Sequence, residues 1–307
     1  MEKVLLAAPR GYCAGVDRAV EIVERALSRF GAPIYVRKQI VHNIHVVRDL
    51  ESKGAVFVDE LDEVPADATV VFSAHGVAPD VHEAARARGL RVVDATCPLV
   101  TKVHNEAKKF AADGFNIVLI GHEGHEEVIG TMGEAPASIT LIGSPEEADD
   151  LGLPNGDRVA YLSQTTLSVD ETTDVIDRLR ARFPGIVGPA RDDICYATQN
   201  RQEAVKVLAE KADVVLVIGS DNSSNSNRLR EVAASRGARA HLIDDESEID
   251  ASWFDGARTV GITSGASAPE WLVDRVVGWF RARGASDVEE VRVVEEDVHF
   301  ALPKEVS

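Results

Sequence analysis

Three cysteines, Cys13, Cys97 and Cys195, stand in a chain of 307 residues, each just ahead of a helical pattern. Their settings are Gly11-Tyr12-Cys13-Ala14-Gly15-Val16-Asp17, Asp94-Ala95-Thr96-Cys97-Pro98-Leu99 and Asp193-Ile194-Cys195-Tyr196-Ala197-Thr198. The first turn of a helix leaves N–H groups unpaired at the positive end of its dipole, so a thiolate there is stabilised as a metal ligand or a nucleophile. Three cysteines make no disulfide framework and fit a reducing compartment. Three equivalent thiolates without a fourth suit a cubane 4Fe-4S cluster in which one iron lacks a protein ligand and stays open to a substrate oxygen. Zinc held by three sulfurs and a histidine, His125 or His75, is the competing reading, although zinc ligands usually come in local pairs such as C-x-x-C, which the chain lacks.

Polar side chains that could face such a centre recur in loops. The segments Val41-His42-Asn43-Ile44-His45, Ser73-Ala74-His75-Gly76-Val77 and Gly121-His122-Glu123-Gly124-His125-Glu126-Glu127-Val128 stand at strand-to-helix junctions, where an imidazole can donate to an anion. His45 and His122 are ambiguous in this respect, and His82, His104, His241 and His299 are expected to be ordinary, partly exposed residues of helices or strands. Residues 219–227, Gly-Ser-Asp-Asn-Ser-Ser-Asn-Ser-Asn, crowd hydroxyls and amides ahead of a helix, as a phosphate site at a helix N-terminus requires. Thr263-Ser264-Gly265-Ala266-Ser267-Ala268-Pro269 repeats the idea, with Pro placed to open the next helix. Glu126 and Glu127 follow His125 directly, and either could supply a proton while the other serves as a first-turn acid.

The elements that must position these residues repeat three times. Apolar runs at 69–74, 116–121, 159–163, 213–219 and 259–264 read as strands, and 17–30, 98–113, 169–183, 198–211 and 268–283 as helices, the alternation of α/β architecture with mainly parallel sheets. From each cysteine onward the order is helix, strand, polar loop, helix, strand, strand, second polar loop, helix and a last short strand. The first loops hold His42, His125 and Ser223, at offsets of 29, 28 and 28 residues from their cysteines. The second loops hold His75, Thr165 and Ser267, at offsets of 62, 68 and 72, the drift falling in surface connections that tolerate insertion. Ligands of open α/β sheets bind beyond the carboxyl ends of strands, and all six loops follow a strand, so the repeat predicts a closed, threefold-related site.

Composition excludes several classes. With 33 Lys and Arg against 51 Asp and Glu, the formal charge is −18, and a polyanion such as nucleic acid would be repelled. The longest clean apolar stretch, 214–218, is strand-sized, so no membrane partner is expected. The apolar stretch before Pro9 and Arg10 is too short for a secretory signal, and the expected location is cytoplasmic. Without a Walker loop or a G-x-G-x-x-G, nucleotide binding is unsupported.

Taken together, the chain resembles the 4-hydroxy-3-methylbut-2-enyl diphosphate reductases, the IspH or LytB family. The resemblance rests on residues 9–16, Val41-His42-Asn43, Ser73-Ala74-His75-Gly76-Val77, Asp94-Ala95-Thr96-Cys97-Pro98-Leu99-Val100, residues 121–130, Gln164-Thr165-Thr166-Leu167, Ile194-Cys195-Tyr196-Ala197-Thr198-Gln199-Asn200-Arg201-Gln202, residues 219–229 and Gly265-Ala266-Ser267-Ala268-Pro269. It implies three pseudo-threefold-related α/β domains in a cloverleaf, or trefoil, around a central iron–sulfur cluster held by Cys13, Cys97 and Cys195. It places the diphosphate on His42, His75, His125, Ser223, Ser224, Asn225 and Ser267, the proton-delivering carboxylate on Glu127, and a threonine that helps orient the substrate hydroxyl on Thr165. The implied reaction is reductive removal of the allylic hydroxyl of (E)-4-hydroxy-3-methylbut-2-enyl diphosphate, giving isopentenyl and dimethylallyl diphosphates. It is the last step of the methylerythritol phosphate route, with electrons from an external ferredoxin or flavodoxin. Glu126 departs from the family, which commonly has proline there, and adds negative charge that would shift the proton donor's pKa.

Two rival classes are an iron–sulfur electron carrier, which would not need six polar loops, and a zinc hydrolase of a phosphorylated metabolite. The expected domains are 1–96, 97–193 and 194–282, with the tail 283–307 packing on the first through a strand near 291–294.

Overall fold

A computed structural model describes residues 3–153 and 158–307. After β1 (Lys3–Ala8), Cys13 leads into α1 (Ala14–Phe30), β2 (Ile34–Arg37), α2 (Ile44–Ser52), β3 (Ala55–Val58), β4 (Thr69–Phe72), α3 (Pro79–Ala87) and β5 (Arg91–Asp94). Cys97 leads into α4 (Pro98–Ala112), β6 (Asn116–Ile120), α5 (Glu126–Glu134), β7 (Ile139–Ile142), α6 (Pro145–Asp150), β8 (Val159–Ser163) and α7 (Val169–Arg182). Cys195 leads into α8 (Tyr196–Ala209), β9 (Val214–Ile218), α9 (Ser224–Ser235), β10 (Arg239–Ile243), β11 (Thr259–Ser264), α10 (Glu270–Arg281) and β12 (Asp287–Arg292). The repeated order expected from the sequence is present, with α6 added to the second copy. Its last strand is reduced to a parallel bridge of Val187 to Ala160.

Among the described residues the strands form three parallel sheets, ordered β3-β2-β4-β5, β7-β6-β8 and β10-β9-β11-β1-β12. Each copy places its first strand centrally, sends the chain out to one neighbour and returns it on the other side. The order therefore reverses between β2 and β4, between β6 and β8, and between β9 and β11. The six polar loops follow the carboxyl ends of these six strands, which is where a doubly wound sheet opens a crevice.

The tail strand lies a few residues earlier than its periodicity suggested; it pairs with β1 of the expected first domain, but in a sheet that the sequence did not reveal. β12 pairs with β1 in register from Lys3 against Asp287 to Ala8 against Arg292, and β1 in turn pairs with β11. The N-terminal strand thus enters the sheet of the third copy instead of joining β2 to β5.

By packing, the chain forms two compact units. The first comprises Met1–Asp17, Val41–Asp49 and Tyr196–Phe300. Its interior strand β9, Val-Val-Leu-Val-Ile, is buried along its whole length, as a strand covered on both faces must be. Val4, Leu216 and Ile262 face one core with Leu272, Val276 and Phe280 of α10, whereas Leu5, Val215 and Val217 face the other with Leu208 of α8 and Leu229 of α9. The second unit comprises Arg18–Ile40, Leu50–Cys195 and Ala301–Ser307. There Val118 and Ile120 pack toward Val175 and Leu179 of α7, and Ile117 and Leu119 toward Val103 and Ala107 of α4. Val70 and Phe72 anchor a separate core with Val77 and Ala85.

Candidate active site

Each cysteine sits where a helix begins and takes part in no disulfide. Cys97 is the N-cap of α4, with Pro98 at the first helical position, and its carbonyl accepts from Thr101 N–H at 2.9 Å. The Cys13 carbonyl accepts from Asp17 N–H at the same distance. The three amides share a further feature. Cys97 N–H donates to the carbonyl of Ala74 at 3.0 Å, Cys195 N–H to that of Thr165 at 3.0 Å, and Cys13 N–H to that of Ala266 at 3.2 Å. Those acceptors lie in the second polar loops, at or immediately before His75, Thr165 and Ser267. Each thiol is thereby tied to a loop that carries a candidate site residue.

Within the second unit, His75, His125, Glu127 and Thr165 come together. Glu127 lies in the first turn of α5 with its side chain turned inward, 3 % exposed. Its Oε1 accepts from Thr165 N–H at 2.6 Å and its Oε2 from Thr165 Oγ1 at 3.0 Å. Burial pushes the carboxyl up to about 7; the two Thr165 donors oppose that shift, and the charge of Asp193 adds to it. Near neutral pH the group is poised to hold or give a proton. His125 caps α5, its Nδ1 accepting from Glu127 N–H at 3.2 Å, which leaves the proton of a neutral ring on Nε2. The His125 and His75 rings meet edge to face at 5.8 Å, and Ser73 Oγ lies 3.3 Å from His75 Nδ1.

Glu126, adjacent in sequence, points elsewhere. Its carboxylate lies 3.7 Å from the Arg37 guanidinium, which also pairs with Glu60 at 3.0 Å. Its charge acts on Lys38, whereas Thr165 and Asp193 are the groups acting on Glu127. The shift of the proton donor expected from Glu126 is thus replaced by one from Asp193.

Within the first unit, His42, Ser223, Asn225 and Ser267 come together. Ser267 Oγ donates to the His42 carbonyl at 2.9 Å, and Asn222 Nδ2 lies 3.4 Å from His42 Nδ1. Asn225 Oδ1 accepts from Ala266 N–H at 2.8 Å and so fixes the loop that also receives Cys13. Ser223 is the N-cap of α9, accepting from Ser226 N–H at 3.3 Å. Ser224 opens the helix. Burial pushes His42 down to about 4, so its ring is neutral at pH 7.

His104 differs from the partly exposed residue expected. It is buried on α4, and its Nδ1 lies 2.8 Å from Glu134 at the end of α5. Gly76 and Gly130 both approach its ring so closely that a methyl group on either would crowd it. Asp193 also escaped sequence reasoning. It is buried, accepts from Ser163 N–H at 2.9 Å and from Lys102 Nζ at 2.8 Å, and burial raises its pKa against the effect of Lys102. Gln164, likewise buried, accepts from His122 N–H at 3.1 Å and donates to Thr166. Their positions beside Cys195 and Thr165 were the available signals.

Among the described residues, no group of three or more histidine, cysteine or carboxylate side chains is gathered to hold one metal ion. A cubane cluster does not ask for such a group, because each thiolate binds its own iron. Three partly exposed thiols at helix starts, without a disulfide between them, fit that donor set. Among the described residues no helix is long and apolar enough to cross a membrane.

Three parallel doubly wound sheets with polar loops at their switch points, a buried acid and three helix-start thiols define a class of α/β redox enzyme. Residues 4–281 match the LytB protein family model, and the chain belongs to that family. It is 63 % identical over 306 residues to the 4-hydroxy-3-methylbut-2-enyl diphosphate reductase of Leifsonia xyli subsp. xyli, covering 99 % of this chain and 91 % of the relative. It is 62 % identical to the protein of the same name from Acidothermus cellulolyticus, covering 99 % and 90 %. Among solved structures, the E-1-hydroxy-2-methyl-but-2-enyl-4-diphosphate reductase from Plasmodium falciparum superposes with a TM-score of 0.97 at 36 % identity, covering 100 % of this chain and 97 % of that one.

Proposed function

We propose that this chain is an oxidoreductase that removes the allylic hydroxyl of (E)-4-hydroxy-3-methylbut-2-enyl diphosphate, giving isopentenyl diphosphate and dimethylallyl diphosphate. The step closes the methylerythritol phosphate route to isoprenoids. The observation that carries the reading is the buried Glu127–Thr165 pair, whose Thr165 carbonyl also holds the amide of Cys195. An acid of pKa about 7 is thereby tied to a helix-start thiol in a chain whose relatives are named reductases. That name disfavours both the electron-carrier and the zinc-hydrolase alternatives.

Cys13, Cys97 and Cys195 are the proposed ligands of a 4Fe-4S cluster with one iron left without a protein ligand. When bound, the cluster supplies electrons one at a time. The rest of the work belongs to the chain. Glu127 in its protonated form donates a proton from the carboxyl to the departing hydroxyl, so that water leaves; with two electrons, a second proton taken up at either end of the allyl group completes the reduction and accounts for the two products. Thr165 Oγ1, now 3.0 Å from the carboxylate, orients that hydroxyl by accepting or donating between the two. His42, His75, His125, Ser223, Ser224, Asn225 and Ser267 are proposed to hold the diphosphate. Its binding energy, distant from the reacting carbon, fixes the hydroxyl against the acid and so assists a step it does not touch. The half-buried, neutral His42 gains affinity for a proton when a diphosphate arrives, because an adjacent anion favours the charged ring. An external ferredoxin or flavodoxin is the proposed electron donor. The three repeats are proposed as the domains: 1–96 with the tail 283–307 packing on it, 97–193 and 194–282.

The test is anaerobic purification followed by iron, zinc and acid-labile sulfide analysis and turnover with a chemical reductant. Iron and sulfide near four of each per chain, together with both five-carbon products, support the reading. Zinc without sulfide, or a cluster-bearing chain that leaves the substrate untouched, overturns it.

A further inference from the structure

Each cysteine is followed, five or six residues into its helix, by a cation: Arg18 after Cys13, Lys102 after Cys97 and Arg201 after Cys195. None of the three turns back to its own cysteine. Arg18 Nη1 donates to the carbonyls of Ala95 and Thr96, at 3.2 and 3.1 Å, immediately before Cys97. Lys102 Nζ donates to the carbonyls of Arg191 and Asp192 and, at 2.8 Å, to the carboxylate of Asp193, immediately before Cys195. Arg201 donates to the carbonyl of Gly11 through Nε and Nη2, at 3.2 and 2.8 Å, and to that of Tyr12 at 3.4 Å, immediately before Cys13. The first copy thus grips the second, the second the third, and the third the first. Each contact lies within one of the two units.

From this we infer that Arg18, Lys102 and Arg201 are positioning residues, a cyclic set of clasps in which each copy's helix holds the approach to the next copy's thiol. Backbone carbonyls just before a helix start have no partner in the helix, and a multivalent cation donor fixes several at once. The two arginines also bind the tail. Arg18 Nε donates to the Ala301 carbonyl at 2.8 Å, and Arg201 Nη1 pairs with Glu296 at 3.0 Å. Arg201 is fully buried, so its charge is compensated by Glu296 and by the Gly11, Tyr12 and Ala197 carbonyls. The clasps have a purpose only if the thiols are ligands, so the inference rests on the function proposed above.

The direction of the cycle makes the test specific. The full chain, freed of iron by a chelator under argon, is treated with iodoacetamide across a range of pH, and the limiting rate of each thiolate, which is free of the cation's own effect on thiol ionisation, is read by peptide mass spectrometry. Arg18→Met should speed Cys97, and Lys102→Met should speed Cys195, by about tenfold or more, the equilibrium worth of a charge-assisted hydrogen bond. The other two thiols in each variant should stay within about twofold of the parent. Arg18→Lys and Lys102→Arg should restore most of the protection. Arg201→Met removes a fully buried charge and tests folding as well, so Glu296→Gln, which loosens the same guanidinium, serves in its place, with Cys13 as the thiol that responds. Acceleration of the thiol in the same copy, of all three together, or of none overturns the clasp. Iron and sulfide content of the parent chain is measured alongside: a parent without a cluster sinks the functional reading, while the pattern of thiol rates judges the clasp separately.

Discussion

At Glu127 burial and hydrogen bonding oppose each other, and burial prevails. The carboxyl is raised from its ordinary value to about 7, so the protonated form is retained in the folded chain to near-neutral pH. Because the folded pKa lies above the unfolded one, the stability this group contributes is full below about pH 4.5 and is lost as pH rises through about 7. The same sign governs catalysis. As the general acid, Glu127 should give a kcat that falls as pH rises above about 7, a limb absent from Glu127→Gln. That variant should lose about two to four decades of turnover with chemical reductant while keeping pyrophosphate affinity. Glu126→Gln should lose far less, since its carboxylate faces Arg37. Equal activity of the parent and Glu127→Gln across the pH range would remove Glu127 from the mechanism.

The start of α9 does two jobs with adjacent residues. Ser223 caps the helix and Asn225 fastens the Ala266–Ser267 loop. Replacing Ser223 by Ala should cost about 1 kcal/mol of stability as a lost cap. Replacing Ser223 and Asn225 together should also weaken pyrophosphate binding, by about one to two decades for each donor lost to a charged group, while the absorbance of the cluster persists. Calorimetric titration that finds unchanged affinity would leave this segment as a helix cap alone. Gly265 tests the same element from outside. A methyl group there would overlap the Ser226 hydroxyl, itself fully buried, so Gly265→Ala should lower Tm and displace the α9 N-terminus without touching any cysteine. A Tm equal to the parent's would mean that the loop yields freely.

For the molecule as a whole, the threefold order makes the cysteines equivalent, and Cys13→Ser, Cys97→Ser and Cys195→Ser should each abolish turnover. Hydroxyl or alkoxide oxygen is a poor substitute for thiolate on a soft iron–sulfur centre. A single variant that keeps parental iron, sulfide and activity would exclude that cysteine from the ligand set. Much of this architecture was legible beforehand. Cysteine spacing, the six loops after strands and the repeated order all survive in the structure, because strand alternation, helix starts and loop chemistry are local properties. Strand ends moved by only a few residues, as at β4, which stops at Phe72.

What the sequence by itself determined is therefore the inventory: three helix-start thiols, an acid at 126 or 127 directly after His125, hydroxyl-rich and histidine-bearing loops, and membership of the family those segments resemble. Tertiary structure decided which of these groups touch. It placed β1 between β11 and β12, a pairing of residues more than 250 positions apart that no local pattern encodes. It turned Glu127 inward onto Thr165 and Glu126 outward onto Arg37, a choice made by neighbours that approach from elsewhere in the chain. It buried His104 and Asp193, whose exposure depends on packing and not on residue type. It also aimed Arg18, Lys102 and Arg201 at the backbone that leads into the next copy's cysteine. Local propensity and spacing fix what an element is, whereas partner choice and burial arise only when distant segments pack, and the pKa values on which the chemistry turns follow burial.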